Sequence, residues 1–98
     1  DAHILNAIRY HTTGRAGMNA LELVIFVADA IEPSRKYPGL GLIREQAQED
    51  LRLAALTSLT GTQKFVKTKG LSESPLSLMG IADLRARLRH PVKEDLAY

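Results

Sequence analysis

The sequence predicts an all-α fold, and three observations carry that reading. No stretch of the 98 residues alternates apolar and polar side chains with the period of a strand. Apolar residues recur instead at spacings of three and four, as they do along one face of a helix. Residues that start and stop helices fall at the edges of these stretches: Asn19 three before Glu22, then Pro33, Gly70 and the pair Ser74-Pro75. A chain of this length forms one small domain with a real core.

Ala2 to His11 is the first element. Ile4, Leu5, Ala7 and Ile8 give it an apolar face, and Asp1 is available as N-cap. Thr12, Thr13 and Gly14 are poor helix formers, so His11 is expected at a helix C-terminus. Asn19-Ala-Leu-Glu22 reads as a capping box, in which Asn19 accepts from the N3 amide and Glu22 reaches back. The helix that follows runs to Glu32 and stops at Pro33. Ser34 to Gly41 reads as a loop with a turn at Pro38-Gly39. From Leu42 to about Lys69 the spacing predicts one long helix or two nearly collinear ones. Ala47, Leu51, Ala54, Ala55, Ser58, Thr62 and Phe65 form its expected inner stripe, and Gly70 suits C′. Leu71 to Pro75 is a linker, with Ser74 as N-cap and Pro75 at N1 of a short helix that ends at His90-Pro91. Ile81, Leu84 and Leu88 share one face of that helix, and the tail to Tyr98 is expected to fray.

Composition narrows the classes of function. Hydrophobic residues make up 45% and charged residues 24%, ordinary values for a soluble domain, and the formal net charge is +2. The cations are dispersed apart from Arg85, Arg87 and Arg89, which argues against a nucleic-acid partner. There is no cysteine, so disulfides and thiolate metal sites are excluded and any metal must be held by histidine and carboxylate. A cytoplasmic setting fits this chemistry. The longest apolar run is too short and interrupted to span a bilayer, and no charged-then-apolar leader opens the chain.

Asp29 is the first residue that composition alone does not explain. It stands in the run Leu-Glu-Leu-Val-Ile-Phe-Val-Ala-Asp-Ala-Ile from Leu21 to Ile31, with Ile25 and Phe26 at helical spacing before it. A buried carboxylate there is costly unless a metal, a cation or several hydrogen bonds take up its charge. A metal or catalytic role stands beside the structural options, which are capping another helix or pairing with Arg9 or Arg35. His11 is a plausible co-ligand, although a histidine at a helix end also interacts favourably with the dipole. Thr12-Thr13-Gly14-Arg15 offers two hydroxyls, a glycine and a guanidinium suited to an anion, and reads equally well as a plain turn. At the helical rise of roughly 1.5 Å per residue, Arg35 lies about 9 Å beyond Asp29, where it could touch outer phosphates and reads equally well as a solvated loop arginine. Lys36 and Tyr37 are weaker candidates. His3, His90 and the arginines of the last helix read as solvated surface, with a partner surface as the minority reading of the arginines.

Two motifs, Ala7-Ile-Arg-Tyr-His-Thr-Thr-Gly-Arg-Ala-Gly-Met18 and Ala28-Asp-Ala-Ile-Glu-Pro-Ser-Arg-Lys-Tyr-Pro-Gly39, closely resemble the YqeK family of HD-domain phosphohydrolases. The resemblance extends from about Ile4 to Gly70. It implies an HD-domain-like helical bundle, a dinuclear metal centre that is typically iron, and symmetrical hydrolysis of diadenosine tetraphosphate to two ADP. Carried over by position, His11 and Asp29 resemble metal ligands, with Asp29 also acting in catalysis. Thr13, Gly14, Arg15 and Arg35 resemble the residues that face the phosphates.

The chain departs from the family in one respect. An HD domain is named for an adjacent His-Asp pair, and no His-Asp dipeptide occurs here. Two ligands do not hold a dinuclear centre, so this segment alone is expected to be inactive. The favoured reading makes residues 1–70 the C-terminal part of an HD domain whose N-terminal helices lie outside this chain. Supply of those helices by another chain and a catalytically silent remnant are the alternatives. Residues 71–98 depart from the family's usual ending and read as a linker, a short helix and a tail. The expected partners are a dinucleoside polyphosphate and the N-terminal half of the domain, with a homodimer left open and neither nucleic acid nor membrane. Two other functions compete: a helical interaction module without catalysis, and an HD-type nucleotidase acting on a mononucleotide.

Overall fold

The computed structural model describes residues 2–89, which form five helices and, among the described residues, no strand. They are α1 (Ala2–Arg9), α2 (Ala20–Ala30), α3 (Leu40–Glu49), α4 (Leu51–Thr68) and α5 (Pro75–Arg89). Asp1, His90 and the tail lie outside the described residues, and with them the expected N-cap of α1 and the His90-Pro91 stop. No helix among the described residues is long and apolar enough to cross a membrane.

The fold is organised around α4. α2, α3 and α5 each pack against it, and α1 packs on α2. Leu23, Phe26 and Val27 of α2, Ile43 of α3, Ala54, Ala55 and Leu59 of α4, and Ile81 and Leu84 of α5 form one core with Met18. Ala54 and Ala55 are completely buried, which lets neighbouring helices approach α4 closely.

Several elements follow the sequence rules closely. Asn19 Oδ1 accepts from the Glu22 amide at 2.9 Å, as a capping box requires. The reciprocal half is absent, because the Glu22 carboxylate turns to Arg15 instead. At the end of α4, Gly70 N donates to Lys67 O and Leu71 N to Val66 O, both at 3.0 Å, with Gly70 at φ 69°. This is the paired bond of a Schellman ending.

Three expectations are corrected. α2 ends at Ala30 and α3 begins at Leu40, two residues earlier than the loop reading allowed. The stretch from Leu42 to Lys69 is two helices broken at Asp50, whose extended backbone (φ −154°, ψ 111°) ends one helix while its side chain caps the next through Arg52 N. The two are not collinear. If they were, Ile43 and Phe65 would lie about 33 Å apart at the helical rise, whereas both line one cavity. The inner stripe also shifts: Leu59 enters the core, while Thr62 and Phe65 are exposed.

The segment after Gly70 is integral to the bundle. Ile81 and Leu84 are buried in the common core, and Ser77 Oγ donates to Thr13 O at 2.7 Å. Gly80 lies so close to the 11–18 loop that a Cβ there would sit 3.2 Å from Arg15 O. The arginines of α5 are not uniformly solvated either, since Arg87 donates to Met18 O at 3.0 Å and meets Asp83 at 3.4 Å.

Candidate functional site

His11 and Asp29 share one cavity in the folded chain. They line one cavity of about 710 Å³, entered from the loop after α1, the end of α2, the 35–39 loop and the outer face of α4. His11 follows α1 in a turn, and its Nδ1 lies 2.5 Å from Ile8 O. A carbonyl oxygen only accepts, so Nδ1 carries a proton, and in the neutral imidazole Nε2 is the nitrogen that can ligate. Such a hydrogen bond orients a metal-ligating histidine.

Asp29 is not buried as the apolar run suggested. α2 leaves Leu21, Val24 and Ile25 between 38% and 43% exposed, and the Asp29 side chain is 37% exposed. Arg35 Nη2 lies 3.3 Å from both carboxylate oxygens, and its Nε donates to Asp29 O at 3.2 Å. The turn at Pro33-Ser34 folds the chain back, so the expected 9 Å separation collapses into an ion pair. The same guanidinium reaches Glu32 at 3.6 Å. Ser34 donates to the Glu32 carboxylate from both its amide and its hydroxyl, which holds that carboxyl below the usual carboxylate range. The Asp29 carboxylate therefore meets solvent and one guanidinium, and the open cavity beside it leaves room for a ligand.

The residues expected to face phosphate divide into two groups. Arg35 lines the cavity. Arg15, Gly14 and Thr13 are not among its lining residues, and each has a structural commitment. Arg15 grips the buried Glu22 carboxylate with two bonds of 2.5 and 2.6 Å, and its guanidinium carbon lies 5.0 Å from the Tyr10 ring centroid. The Glu22 bonds hold the Arg15 pKa above its ordinary value, so this cation stays charged. Gly14 is packed against Leu59 and Met18 and is required by its φ of 68° rather than by approach to a ligand. Thr13 hydroxyl donates to Gly14 O, and its own carbonyl accepts from Ser77. Of that loop, His11 and Thr12 reach the cavity.

Of the rest of the wall, the sequence read Ser58, Thr62 and Phe65 as core stripe, Pro38 and Gly39 as loop, and Tyr37 as a weaker candidate. Phe26, Tyr37 and Phe65 are its aromatic members, and Thr57, Ser58, Gly61 and Thr62 are the α4 face between them. Tyr37 hydroxyl donates to Ala30 O at 2.5 Å, which fixes its ring, and partial burial raises its pKa. The small and polar run at 57, 58, 61 and 62 was the available signal, because a core stripe at those positions calls for aliphatic side chains. His3 lies elsewhere, accepting from Asn19 Nδ2 at 3.2 Å. A second, smaller depression of about 480 Å³ lies between α2 and α3; its charged member, Arg44, is spent on the carbonyls of Ile31 and Glu32.

Among the described residues no three histidine, aspartate or glutamate side chains gather as a metal-binding group. His11 and Asp29 fit such a site as two of its ligands: one offers a free imidazole nitrogen and the other a partly exposed carboxylate.

The architecture is that of an HD superfamily hydrolase. A crystal structure of such a hydrolase from Clostridium acetobutylicum, described as involved in NAD metabolism, is similar at a TM-score of 0.85 and 42% identity. The match covers 89% of this chain and 46% of that one. It is longer than residues 1–70, so it takes in part of the segment after Gly70, which the resemblance had set apart. Within this class the chain is similar to enzymes named as symmetrical tetraphosphatases. The chain is 51% identical over 69 residues to a symmetrical bis(5'-nucleosyl)-tetraphosphatase of Bacillus subtilis, and 49% identical over 69 residues to one of Halalkalibacterium halodurans. A third, of Staphylococcus aureus, is 53% identical over 47 residues. The chain spans 37% of the length of the first two relatives, and these matches cover 70% of it. No protein-family model matches the chain.

Proposed function

We propose that this chain forms one wall of a cytoplasmic, metal-dependent phosphohydrolase that cleaves dinucleoside polyphosphates, with diadenosine tetraphosphate split symmetrically into two ADP. The observation that carries the reading is the convergence of His11, Asp29 and Arg35 on one cavity, in a chain about half identical to tetraphosphatases. Completion of the site is assigned to the N-terminal half of the HD fold, which the relatives' greater length leaves room for.

His11, through Nε2, and Asp29 would hold metal in a dinuclear centre, for which iron is our assignment. When bound, that centre supplies a Lewis acid for phosphoryl oxygens and a water made nucleophilic at neutral pH. The chain's own residues do the rest. The His11–Ile8 hydrogen bond fixes the imidazole tautomer. Arg35 lies at the carboxylate and lines the cavity, so it can hold Asp29 in place and turn a donor toward a non-bridging oxygen as charge builds there. Arg15 positions the loop after α1 by anchoring it to Glu22, rather than by touching phosphate.

The test uses the full-length polypeptide containing this chain. Asp29→Asn is expected to abolish release of ADP from diadenosine tetraphosphate and to lower bound metal. Arg35→Ala is expected to raise KM or slow turnover with metal content unchanged. Wild-type turnover in Asp29→Asn would remove the aspartate from the mechanism, and ATP plus AMP as products would refute symmetrical cleavage.

A further inference from the structure

The charged end of the cavity accounts for only part of its wall. Beyond Asp29 and Arg35 the cavity continues to Tyr37 in the loop before α3 and to Phe65 on α4. Both rings are partly exposed, Tyr37 39% and Phe65 60%, and Lys69 Nζ lies 5.6 Å from the Phe65 ring centroid, on one face of that ring. They stand on separate elements yet line the same space. Tyr37 is held at its tip by the Ala30 carbonyl, so its ring is oriented before any ligand arrives. On the α4 face, Gly61 has no atom within 4 Å of where a Cβ would be, so the floor is unobstructed.

Together these features suit a flat, uncharged ring tethered to an anion. Stacking on aromatic side chains contributes to nucleic-acid base binding and tolerates any base, because every base has a π-face. Phosphate and base share one molecule, as the charged and aromatic walls share one cavity. We infer that Tyr37 and Phe65, with the open floor at Gly61, form the subsite that takes a nucleobase of the nucleoside polyphosphate. The inference rests on the function proposed above; it gives Phe65 and Gly61 a role that the sequence motifs do not assign, and Tyr37, a weaker candidate in the sequence, a specific one.

Calorimetric titration of the full-length polypeptide with ADP and with inorganic tripolyphosphate tests it. Phe65→Leu removes the ring, and Gly61→Leu fills the floor with a good helix former, so that a failure to fold in one leaves the other informative. Each is expected to weaken ADP about tenfold while leaving tripolyphosphate unchanged, a loss of about 1.4 kcal/mol. Unchanged ADP affinity in both variants would overturn the subsite. So would a fall in thermal stability of Phe65→Leu with ADP binding intact, because the ring would then be packed beneath the rest of the polypeptide. If wild-type protein bound neither probe and left diadenosine tetraphosphate uncut, the hydrolase reading itself would fail, an outcome distinct from loss of the base contact alone.

Discussion

Replacing Arg15 by methionine separates two roles for this residue, and the structure makes the outcome quantitative. Glu22 is 2% exposed and is held by two charge-assisted bonds of 2.5 and 2.6 Å from one guanidinium. Removing one partner of a buried ion pair leaves an uncompensated charge and costs about 3–5 kcal/mol. The Arg15 side chain is itself 30% exposed, so water can reach part of the vacated space, and the lower end, ~3 kcal/mol, is the better figure. At roughly 4–8 °C per kcal/mol for a domain of this size, the melting temperature should fall by at least 12 °C. Urea unfolding followed by far-UV circular dichroism gives the free energy directly. The double variant Arg15→Met/Glu22→Met, with no charge left to strand, should recover to within about 1 kcal/mol of wild type. A residue kept only for phosphate would behave differently. If Arg15→Met alone unfolded within about 0.5 kcal/mol of wild type, the clamp would carry no stability and the guanidinium would be available to substrate after all.

Two further outcomes are expected. Leu84 is completely buried between α5 and the core, so Leu84→Ala should destabilise the chain by about 2–5 kcal/mol in the same urea assay; a loss below about 1 kcal/mol would mean that α5 is only loosely attached. Glu32 has its pKa lowered by Ser34, so it contributes stability above the ordinary carboxylate range and loses that contribution as pH falls through the depressed value. Ser34→Ala should therefore raise the Glu32 pKa toward normal in a side-chain NMR titration, and an unmoved titration would remove Ser34 as the cause.

Local rules made much of this fold legible in advance. Asn19, Pro33, Gly70 and Pro75 each act over a few residues, and each marks a boundary to within a turn. The break at Asp50 was missed because aspartate is tolerated within a helical pattern, and its capping role shows only in the extended backbone around it. At the site, His11, Asp29 and Arg35 were picked out by residue type and do meet at one cavity. Arg15 lies outside the lining of the cavity for a long-range reason: Glu22, which the capping-box rule assigned to its own helix, has a stronger partner across the loop. Tyr37 was read only as a weaker candidate and Phe65 as core, because exposure decides their meaning and a one-dimensional pattern does not record which faces stay uncovered.

The near-contact of Gly80 with the Arg15 backbone has a practical consequence for anyone trimming this protein. Sequence similarity to the tetraphosphatases extends over 69 residues, which invites a cut soon after the Schellman turn. Such a cut would delete the helix whose Ser77, Gly80 and Arg87 brace the strap between Thr13 and Met18 from behind. That strap follows directly on the imidazole, so a shortened protein would hold every residue named by homology and still have lost the splint that keeps the first of them in place.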